Sequence, residues 1–302
     1  MTKCLLKCVL VLAVLSSAPT FGAEGIQLNP VVSIYADGKG DGLKLPQGTA
    51  CNDQMLFAAD TGNGRILKFN MQDRTLIFEK EIKLSQLLSP TRLQLNSKGV
   101  VFALDEKQRR IVSIGPDGAF VGFVSPQGLP APDEFVPRSF KIDEHDNIYI
   151  LDIFSERVLV LDATGKFLRA IKFPADYGFV SDIAVDSSGT VFLLDTAKCM
   201  LYSASGNAAM FTALTGQLKE YMLFPTYLTI DKTGTIFIVD QNGGAIAILS
   251  KNGQVQGKQL SKGWREGLLR YPSQMCLTDK GDVFIADREN NRIQVFAVKV
   301  TK

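Results

Sequence analysis

Six short apolar runs recur along the chain at a nearly constant interval, and each ends in an aspartate. Successive aspartates lie 43 to 47 residues apart. Each run holds four apolar residues, rich in β-branched and aromatic side chains, which is typical of a short strand and too short for a helix. The pattern predicts one unit written six times. The six aspartates are Asp60, Asp105, Asp152, Asp195, Asp240 and Asp287.

The residues around each aspartate predict the rest of the unit. A second β-rich run, such as RILKF or RIQVF, follows the aspartate, and turns such as GPDG lead to a weaker fourth run. An earlier run opens with a proline in four units, at Pro90, Pro137, Pro225 and Pro272. Four short strands in about 45 residues is the period of a β-propeller blade. We predict an all-β fold, a single six-bladed β-propeller of four-stranded antiparallel blades over residues 24–302.

The two ends of the chain are predicted to close the ring together. The last unit has no room for a fourth strand after residues 292–298, and residues 30–36 form a β-like run without a unit of their own. A ring left open would expose an unpaired strand edge. We therefore expect the N-terminal strand to join the last blade. The alternative is a free N-terminal extension.

Residues 1–23 are predicted to be a cleaved signal peptide. Lys3 and Lys7 precede an apolar run, CVLVLAVL, and small residues follow it, which are the marks of a secretory signal. The run is shorter than the roughly 20 residues that span a bilayer, so we expect no stable membrane insertion. A buried N-terminal helix and a retained anchor are the alternatives. The prediction is export to the periplasm or the extracellular space.

Charge and histidine content exclude several classes of function. The 33 basic and 31 acidic side chains give a net charge of +2, and loss of the two leader lysines leaves a neutral chain. A neutral protein lacks the excess positive charge that attracts nucleic acid, so nucleic acid is not expected as a partner. His145 is the single histidine, so no histidine cluster can hold a metal and no Ser-His-Asp triad forms without it. We expect His145 in an exposed turn.

A hexapeptide pattern, D-x-x-N-x-R, begins at several of the aspartates. It is complete at Asp60–Arg65 and Asp287–Arg292 and partial at Asp105–Arg110 and Asp152–Arg157. The copies occur at the same position within the six repeated units. This arrangement resembles the NHL-repeat family of β-propellers, and the resemblance covers almost the whole chain after the leader. Units four and five depart from it, because methionine and alanine stand where the arginine is expected.

The aspartates and arginines of this pattern are expected to be structural. The aspartate ends one strand and the arginine begins the next, so they face each other across a hairpin. A carboxylate there can accept two N–H groups from a planar guanidinium. The alternative is a series of ligand-binding pairs. The predicted structural residues are Asp60, Arg65, Asp105, Arg110, Asp152, Arg157, Asp287 and Arg292.

The residues thirteen positions before each aspartate form a candidate ligand-binding rim. They fall on the strand expected to line the central channel, near its mouth, and they differ between units while framework positions recur. Arg92 and Tyr227 are of the types that most often dominate binding energy. The alternative is a solvated rim without a ligand. The six candidates are Gln47, Arg92, Ser139, Asp182, Tyr227 and Gln274.

Two classes of function follow. The first is a secreted or periplasmic binding module for a protein, a peptide or a glycan, with no catalytic, cofactor or metal residue assigned and the oligomeric state open. The second is implied by the resemblance. Related propellers include metal-dependent lactonases, which hold a divalent cation with Glu, Asn and Asp, and lyases whose zinc is held by histidines. The rim offers Asp182 as its carboxylate, and Glu134 and Asp176 lie on neighbouring loops.

Three cysteines follow the leader, with Trp264 as the single tryptophan. Cys51 and Cys276 fall in units that become neighbours on closure, where they form either a disulfide or two buried thiols. Cys199 is expected to be a surface thiol or one half of an intermolecular contact. Trp264 lies on the loop before the last unit, where it either packs on a blade edge or anchors a partner.

Overall fold

The computed structural model describes residues 25–72 and 74–301. In this part of the chain, 24 strands form six four-stranded antiparallel sheets, which are the blades of a β-propeller. The first strands of neighbouring blades lie against one another around the axis. The predicted six-bladed all-β fold is therefore confirmed. No helix among the described residues is long and apolar enough to cross a membrane.

Each of the first five blades takes four consecutive strands, from the channel outward. Blade 1 holds β2 (Gly48–Cys51), β3 (Met55–Asp60), β4 (Arg65–Gln72) and β5 (Thr75–Ile82). Blade 2 holds β6 (Pro90–Leu95), β7 (Val101–Asp105), β8 (Arg110–Ile114) and β9 (Phe120–Phe123). Blade 3 holds β10 (Pro137–Ile142), β11 (Ile148–Asp152), β12 (Arg157–Leu161) and β13 (Phe167–Lys172).

The remaining blades follow the same plan until the last. Blade 4 holds β14 (Val180–Val185), β15 (Val191–Asp195), β16 (Met200–Ala204) and β17 (Thr212–Thr215). Blade 5 holds β18 (Pro225–Ile230), β19 (Ile236–Asp240), β20 (Ala245–Leu249) and β21 (Val255–Gln259). Blade 6 holds β22 (Pro272–Leu277), β23 (Asp282–Asp287), β24 (Arg292–Thr301) and, outermost, β1 (Gly25–Ile34). Short 3₁₀ helices span Thr61–Asn63, Gln217–Glu220 and Arg288–Asn290.

The ring closes as predicted, through β1. This strand pairs antiparallel with β24, with Leu28 opposite Val298 and Ile34 opposite Ile293. It is longer than expected, since it begins at Gly25. A disulfide joins Cys51 on β2 to Cys276 on β22, with 6.0 Å between their Cα atoms and 225 residues between them in sequence. Within the described residues, β1 thus completes blade 6, and the disulfide ties blade 6 to blade 1.

The apolar core lies between neighbouring blades. Between blades 4 and 5, for example, Leu194, Leu201, Leu228 and Ile238 are fully buried in one cluster. Middle strands such as β11 are buried along their whole length because a blade covers each of their faces. Outer strands such as β9 alternate between half-buried and exposed residues. Every blade therefore meets the same packing requirement, which explains why the apolar runs recur in the sequence.

Candidate ligand-binding site at the channel mouth

All six repeat aspartates are fully buried, and each binds the loop that leads into the innermost strand of its own blade. Asp240 accepts backbone N–H groups from Leu223 at 3.0 Å and Phe224 at 2.9 Å, and Asp195 accepts one from Phe179 at 3.0 Å. Corresponding N–H groups in the other blades are those of Lys44, Leu88, Val136 and Arg270. The end of the propeller with these lead-in loops and the Asp turns, called here the Asp-turn face, is therefore fixed by the scaffold.

Three of the predicted structural pairs are buried ion pairs. In each, the arginine Nε lies 2.7 to 3.0 Å from the aspartate Oδ2 five residues before it. Burial opposes the charge of Arg292, but its hydrogen bonds with Tyr35 and Asp287 outweigh that effect and raise its pKa. The side chains are enclosed in the hairpin, as a structural role requires. The pairs are Asp60–Arg65, Asp152–Arg157 and Asp287–Arg292.

The fourth predicted pair is corrected by the structure. Asp105 and Arg110 are opposite each other in the strand register. However, Arg110 is exposed, and its guanidinium carbon lies 4.5 Å from the ring centre of Phe123. Asp105 instead accepts backbone N–H groups from Leu88 at 2.5 Å and Gln108 at 3.0 Å. Arg110 therefore stacks on the outside of the blade and does not pair with the aspartate.

A β-bulge decides which side chains face the channel mouth. In blade 2, Pro90 pairs with Asp105 and Arg92 with Leu104, so Thr91 has no opposite residue. The same shift occurs near the start of β10, β14, β18 and β22. A bulge turns its extra residue out of the normal alternation. The extra residues that line the mouth are Thr91, Arg138, Ser181, Thr226 and Ser273.

These bulge residues surround a cavity of about 510 Å³ on the Asp-turn face. Three of them hold a buried polar atom without a hydrogen-bond partner among the described residues, namely Arg138 Nε, Ser181 Oγ and Thr226 Oγ1. Each such atom costs about 1–3 kcal/mol. In contrast, Thr91 donates to the Leu104 carbonyl and Ser273 accepts from an arginine. The unsatisfied groups therefore lie in blades 3, 4 and 5.

The structure separates the six residues of the candidate rim. Gln47 and Arg92 line the mouth cavity. The other four are buried in the channel rather than exposed at its mouth, because the bulge places their neighbours there instead; they are Ser139, Asp182, Tyr227 and Gln274. In each of these four blades, the preceding residue in the sequence lies at the mouth instead. Sequence reasoning missed the bulge position, although four hydroxyl side chains and an arginine recur there beside apolar strands.

The buried rim residues bind one another and fill the channel. The Gln274 amide donates to the Leu93 carbonyl at 2.7 Å and to the Tyr227 hydroxyl at 3.3 Å. Lys141 Nζ lies 3.8 Å from the Tyr227 ring centre and 3.5 Å from Asp182 Oδ2. A smaller cavity of about 150 Å³, lined by Tyr227, Gln274 and the disulfide, lies on their other side. These polar side chains therefore fill the channel between the two cavities.

Both carboxylate oxygens of Asp182 accept hydrogen bonds. Asp182 accepts hydrogen bonds from the Ser139 hydroxyl and from the Leu228 N–H, the latter at 2.8 Å. Lys141 donates to the Leu228 carbonyl at 3.0 Å beside it. The Asp182 carboxylate is thus held by blade 3 and blade 5 together, and its charge is balanced within the channel.

The mouth itself is cationic. Arg92, Arg109 and Arg138 line it, against the single acidic side chain of Glu106 among the residues that surround the cavity. The guanidinium carbon of Arg138 lies 4.4 Å from the ring centre of Phe179. Burial lowers the pKa of Arg138. The mouth is therefore suited to a polar or anionic group.

The residues do not fit the divalent cation that the resemblance to lactonases implies. Asp182 is already bound as described above. Glu134 and Asp176 are exposed rather than turned inward, and Asp176 pairs with a lysine. Within residues 25–72 and 74–301, no three His, Cys, Asp or Glu side chains are grouped as metal ligands. A cation at the mouth would instead meet the positive charges of Arg92 and Arg138.

His145, Trp264 and Cys199 do not line the mouth cavity. His145 is exposed in its turn, as expected. Trp264 is 71% exposed and does not pack on a blade edge. Cys199 is buried rather than on the surface, and it packs in the apolar cluster between blades 4 and 5.

Comparison with known proteins supports the resemblance seen in the repeat. The NHL repeat family profile matches residues 269–296, which include the buried pair Asp287–Arg292. The chain is an NHL-repeat β-propeller. Human NHL repeat-containing protein 3 is 27% identical over 157 residues, and the mouse protein of that name is 29% identical. The alignment to the human protein covers 46% of this chain and 45% of that protein, so the NHL-repeat propeller spans about half of the curated relatives.

Solved structures share the fold of this NHL-repeat propeller at low sequence identity. A gluconolactonase from Xanthomonas campestris superposes with a TM-score of 0.66 at 12% identity, covering 92% of this chain and 99% of that one. Virginiamycin B lyase from Staphylococcus aureus gives 0.63 at 14%, covering 90% and 99%. The calcium-binding protein regucalcin from Agrobacterium tumefaciens gives 0.60 at 10%, covering 86% and 92%. At these identities the similarity concerns the fold alone.

Proposed function

We propose that this NHL-repeat propeller is an exported binding module, acting in the periplasm or outside the cell, that holds a protein, peptide or glycan at the mouth of its channel. The observation that carries the proposal is the mouth cavity with three unpartnered buried polar atoms. Buried polar groups in proteins nearly always have a partner. A bound ligand would supply partners for Arg138, Ser181 and Thr226.

The surroundings of the cavity favour a partner larger than the cavity. Large apolar side chains are exposed on the lead-in loops and Asp turns of the same face, with Leu223 and Trp264 each 71% exposed. Apolar side chains exposed around one face are available to contact a partner. The others on this face are Leu88, Phe154, Phe179 and Phe224.

The alternative, a metal-dependent lactonase- or lyase-like enzyme, requires ligands that the described residues do not bring together. Metal analysis of the purified protein separates the two functions. A stoichiometric divalent cation that survives dialysis would overturn the choice of a binding module. We expect none.

A capture experiment tests the binding role. Immobilised full chain is exposed to the native periplasmic or culture fraction, in parallel with the variants Arg138→Gln and Arg110→Gln. Both arginines stack on a phenylalanine, at 4.4 and 4.5 Å, but only Arg138 lies at the mouth. We expect a species retained by the parent and by Arg110→Gln and lost from Arg138→Gln. Equal retention by all three would show that the mouth is not the site.

Localisation is tested on the same preparation. Cell fractionation should place the protein outside the cytoplasm, and N-terminal sequencing should find the chain beginning after Gly22 or Ala23. A chain that retains residue 1 in the cytoplasm would contradict the proposed export. The signal peptide itself, residues 1–23, lies outside the described residues.

A further inference from the structure

Arg138 is half-buried and, unlike the enclosed arginines of the repeat, has no acidic partner. Arg65, Arg157 and Arg292 each have a carboxylate oxygen within 3.0 Å of Nε. Among the described residues, Arg138 forms no ion pair or hydrogen bond, and its Nε is buried. A partly buried guanidinium without a counter-charge is unfavourable, and a carboxylate fits its fork of N–H groups. A carboxylate is therefore the partner that Arg138 lacks at the mouth.

The groups beside Arg138 fit the same ligand chemistry. Stacking on Phe179 covers one face of the guanidinium and leaves its N–H edge for a planar acceptor. Ser181 and Thr226 line the same cavity with unpartnered hydroxyls, which donate well to an anion. Arg92 adds a second positive charge, although it already donates to Ser273 Oγ at 3.0 Å.

Resting on the binding role proposed above, we propose that the channel mouth binds a carboxylate group of an acidic peptide. The carboxylate is held by Arg138 and by the hydroxyls of Ser181 and Thr226, with Arg92 contributing charge. The rest of the peptide lies on the Asp-turn face. The carboxylate is that of an aspartate or glutamate side chain or of the peptide C-terminus, which are the same chemical group.

The apolar side chains around the mouth favour a peptide over an acidic glycan. Leu88 and Leu223 are exposed on lead-in loops of this face, held at their backbone by Asp105 and Asp240. Branched aliphatic side chains gain stability by removing other apolar side chains from water. A peptide carries such side chains next to its carboxylates, whereas a glycan does not.

Peptide arrays test the inference with defined probes. The full chain is applied to N-acetylated hexapeptides of random sequence, each printed once with a free C-terminal acid and once as the C-terminal amide. Oligogalacturonate and inorganic phosphate are included as the sugar acid and the simple anion. The tightest peptide is then titrated by fluorescence anisotropy against the parent, Arg138→Gln and Arg110→Gln.

We expect the binding peptides to require a carboxylate, so that amidation or a Glu→Gln change in the peptide abolishes the signal. Arg138→Gln should weaken binding about tenfold or more, since hydrogen bonds to charged groups contribute at that level. Arg110→Gln should leave it within about twofold, because an exposed stacked arginine has no place at the mouth. Thermal melting of the three proteins checks that Arg138→Gln is folded.

The outcomes separate this inference from the binding role. Peptides that bind through Arg138 without needing a carboxylate would overturn the inference and leave the binding module standing. Oligogalacturonate bound more tightly than any peptide would overturn the assignment to a peptide, and phosphate bound equally well would show a general anion site. No binding on any arm, with nothing captured from the native fraction, would overturn both proposals.

Discussion

Arg138 of blade 3 stacks on Phe179 of blade 4, with 4.4 Å between the guanidinium carbon and the ring centre. The backbone N–H of Phe179 is itself held by the buried Asp195 at 3.0 Å. The repeat aspartate thus fixes the loop, the loop fixes the aromatic ring, and the ring supports the arginine at the mouth. The scaffold motif and the candidate site are connected by this one pair of contacts.

Arg292→Ala should destabilise the protein far more than Arg110→Ala. Arg292 is enclosed with Asp287 and also donates to Tyr35 and to two backbone carbonyls. Removing it leaves a buried carboxylate without its counter-charge, at a cost of about 3 kcal/mol. The exposed Arg110 should cost less than about 1 kcal/mol. Urea unfolding of the two variants measures the difference, and equal midpoints would contradict a structural role for the Asp287–Arg292 pair.

Thr226→Val should leave the free energy of unfolding unchanged or raise it. Its hydroxyl has no partner among the described residues, so replacing it by a methyl group removes an unsatisfied polar atom. Thr91 occupies the same bulge position in blade 2, but its hydroxyl donates to the Leu104 carbonyl at 3.3 Å.

Thr91→Val is therefore the matched control and should cost about 1 kcal/mol. Melting temperatures of the two valine variants give the comparison. A Thr226→Val protein that melts below Thr91→Val would mean that the Thr226 hydroxyl has a partner in solution.

Loss of the disulfide should destabilise the ring closure. The Cys51–Cys276 bridge spans 225 residues and joins the innermost strands of blades 1 and 6. Removing such a bridge typically costs about 2–4 kcal/mol. The double variant Cys51→Ser/Cys276→Ser should therefore unfold at lower urea concentration than the parent. The parent in reductant should approach the same midpoint, and a midpoint insensitive to reductant would contradict a stabilising bridge.

The thiol of Cys199 should be unreactive in the folded protein at neutral pH. Burial raises the pKa of this thiol, so the thiolate, which is the reactive form, is scarce until the pH rises above the ordinary thiol range. Labelling with a thiol reagent such as Ellman's reagent should be slow on the native chain and fast after unfolding in urea. Rapid labelling of the native protein at pH 7 would contradict the buried position.

Tyr227 illustrates how the structure changes an expectation. From the sequence it is a candidate for direct binding at the rim, and its loss would be expected to affect binding rather than stability. In the fold it is 2% exposed and contacts Lys141, Arg92 and Gln274. A truncation to alanine would open a cavity in the channel floor, which is costly in a close-packed interior. A loss of binding by Tyr227→Ala could therefore result from lost stability, and it would not show that Tyr227 contacts the ligand.

The sequence by itself determined the number of blades, their phase and the closing strand. Each blade buries its apolar strands against identical neighbours, so the same local pattern must recur, and Asp60, Asp152 and Asp287 could be matched to their arginines five residues on. Those interactions are local in the chain, within one hairpin.

Only the tertiary structure decided which side chains reach the mouth and which of them lack partners. A one-residue bulge exchanges Arg138 for Ser139 at the mouth, and a shift of one residue reverses the direction of a strand side chain. The partners of channel residues also come from distant blades, as Arg92 and Ser273 do across 181 residues of sequence. Whether a polar group is satisfied therefore depends on how six separate blades converge on one axis, which the repeat pattern does not contain.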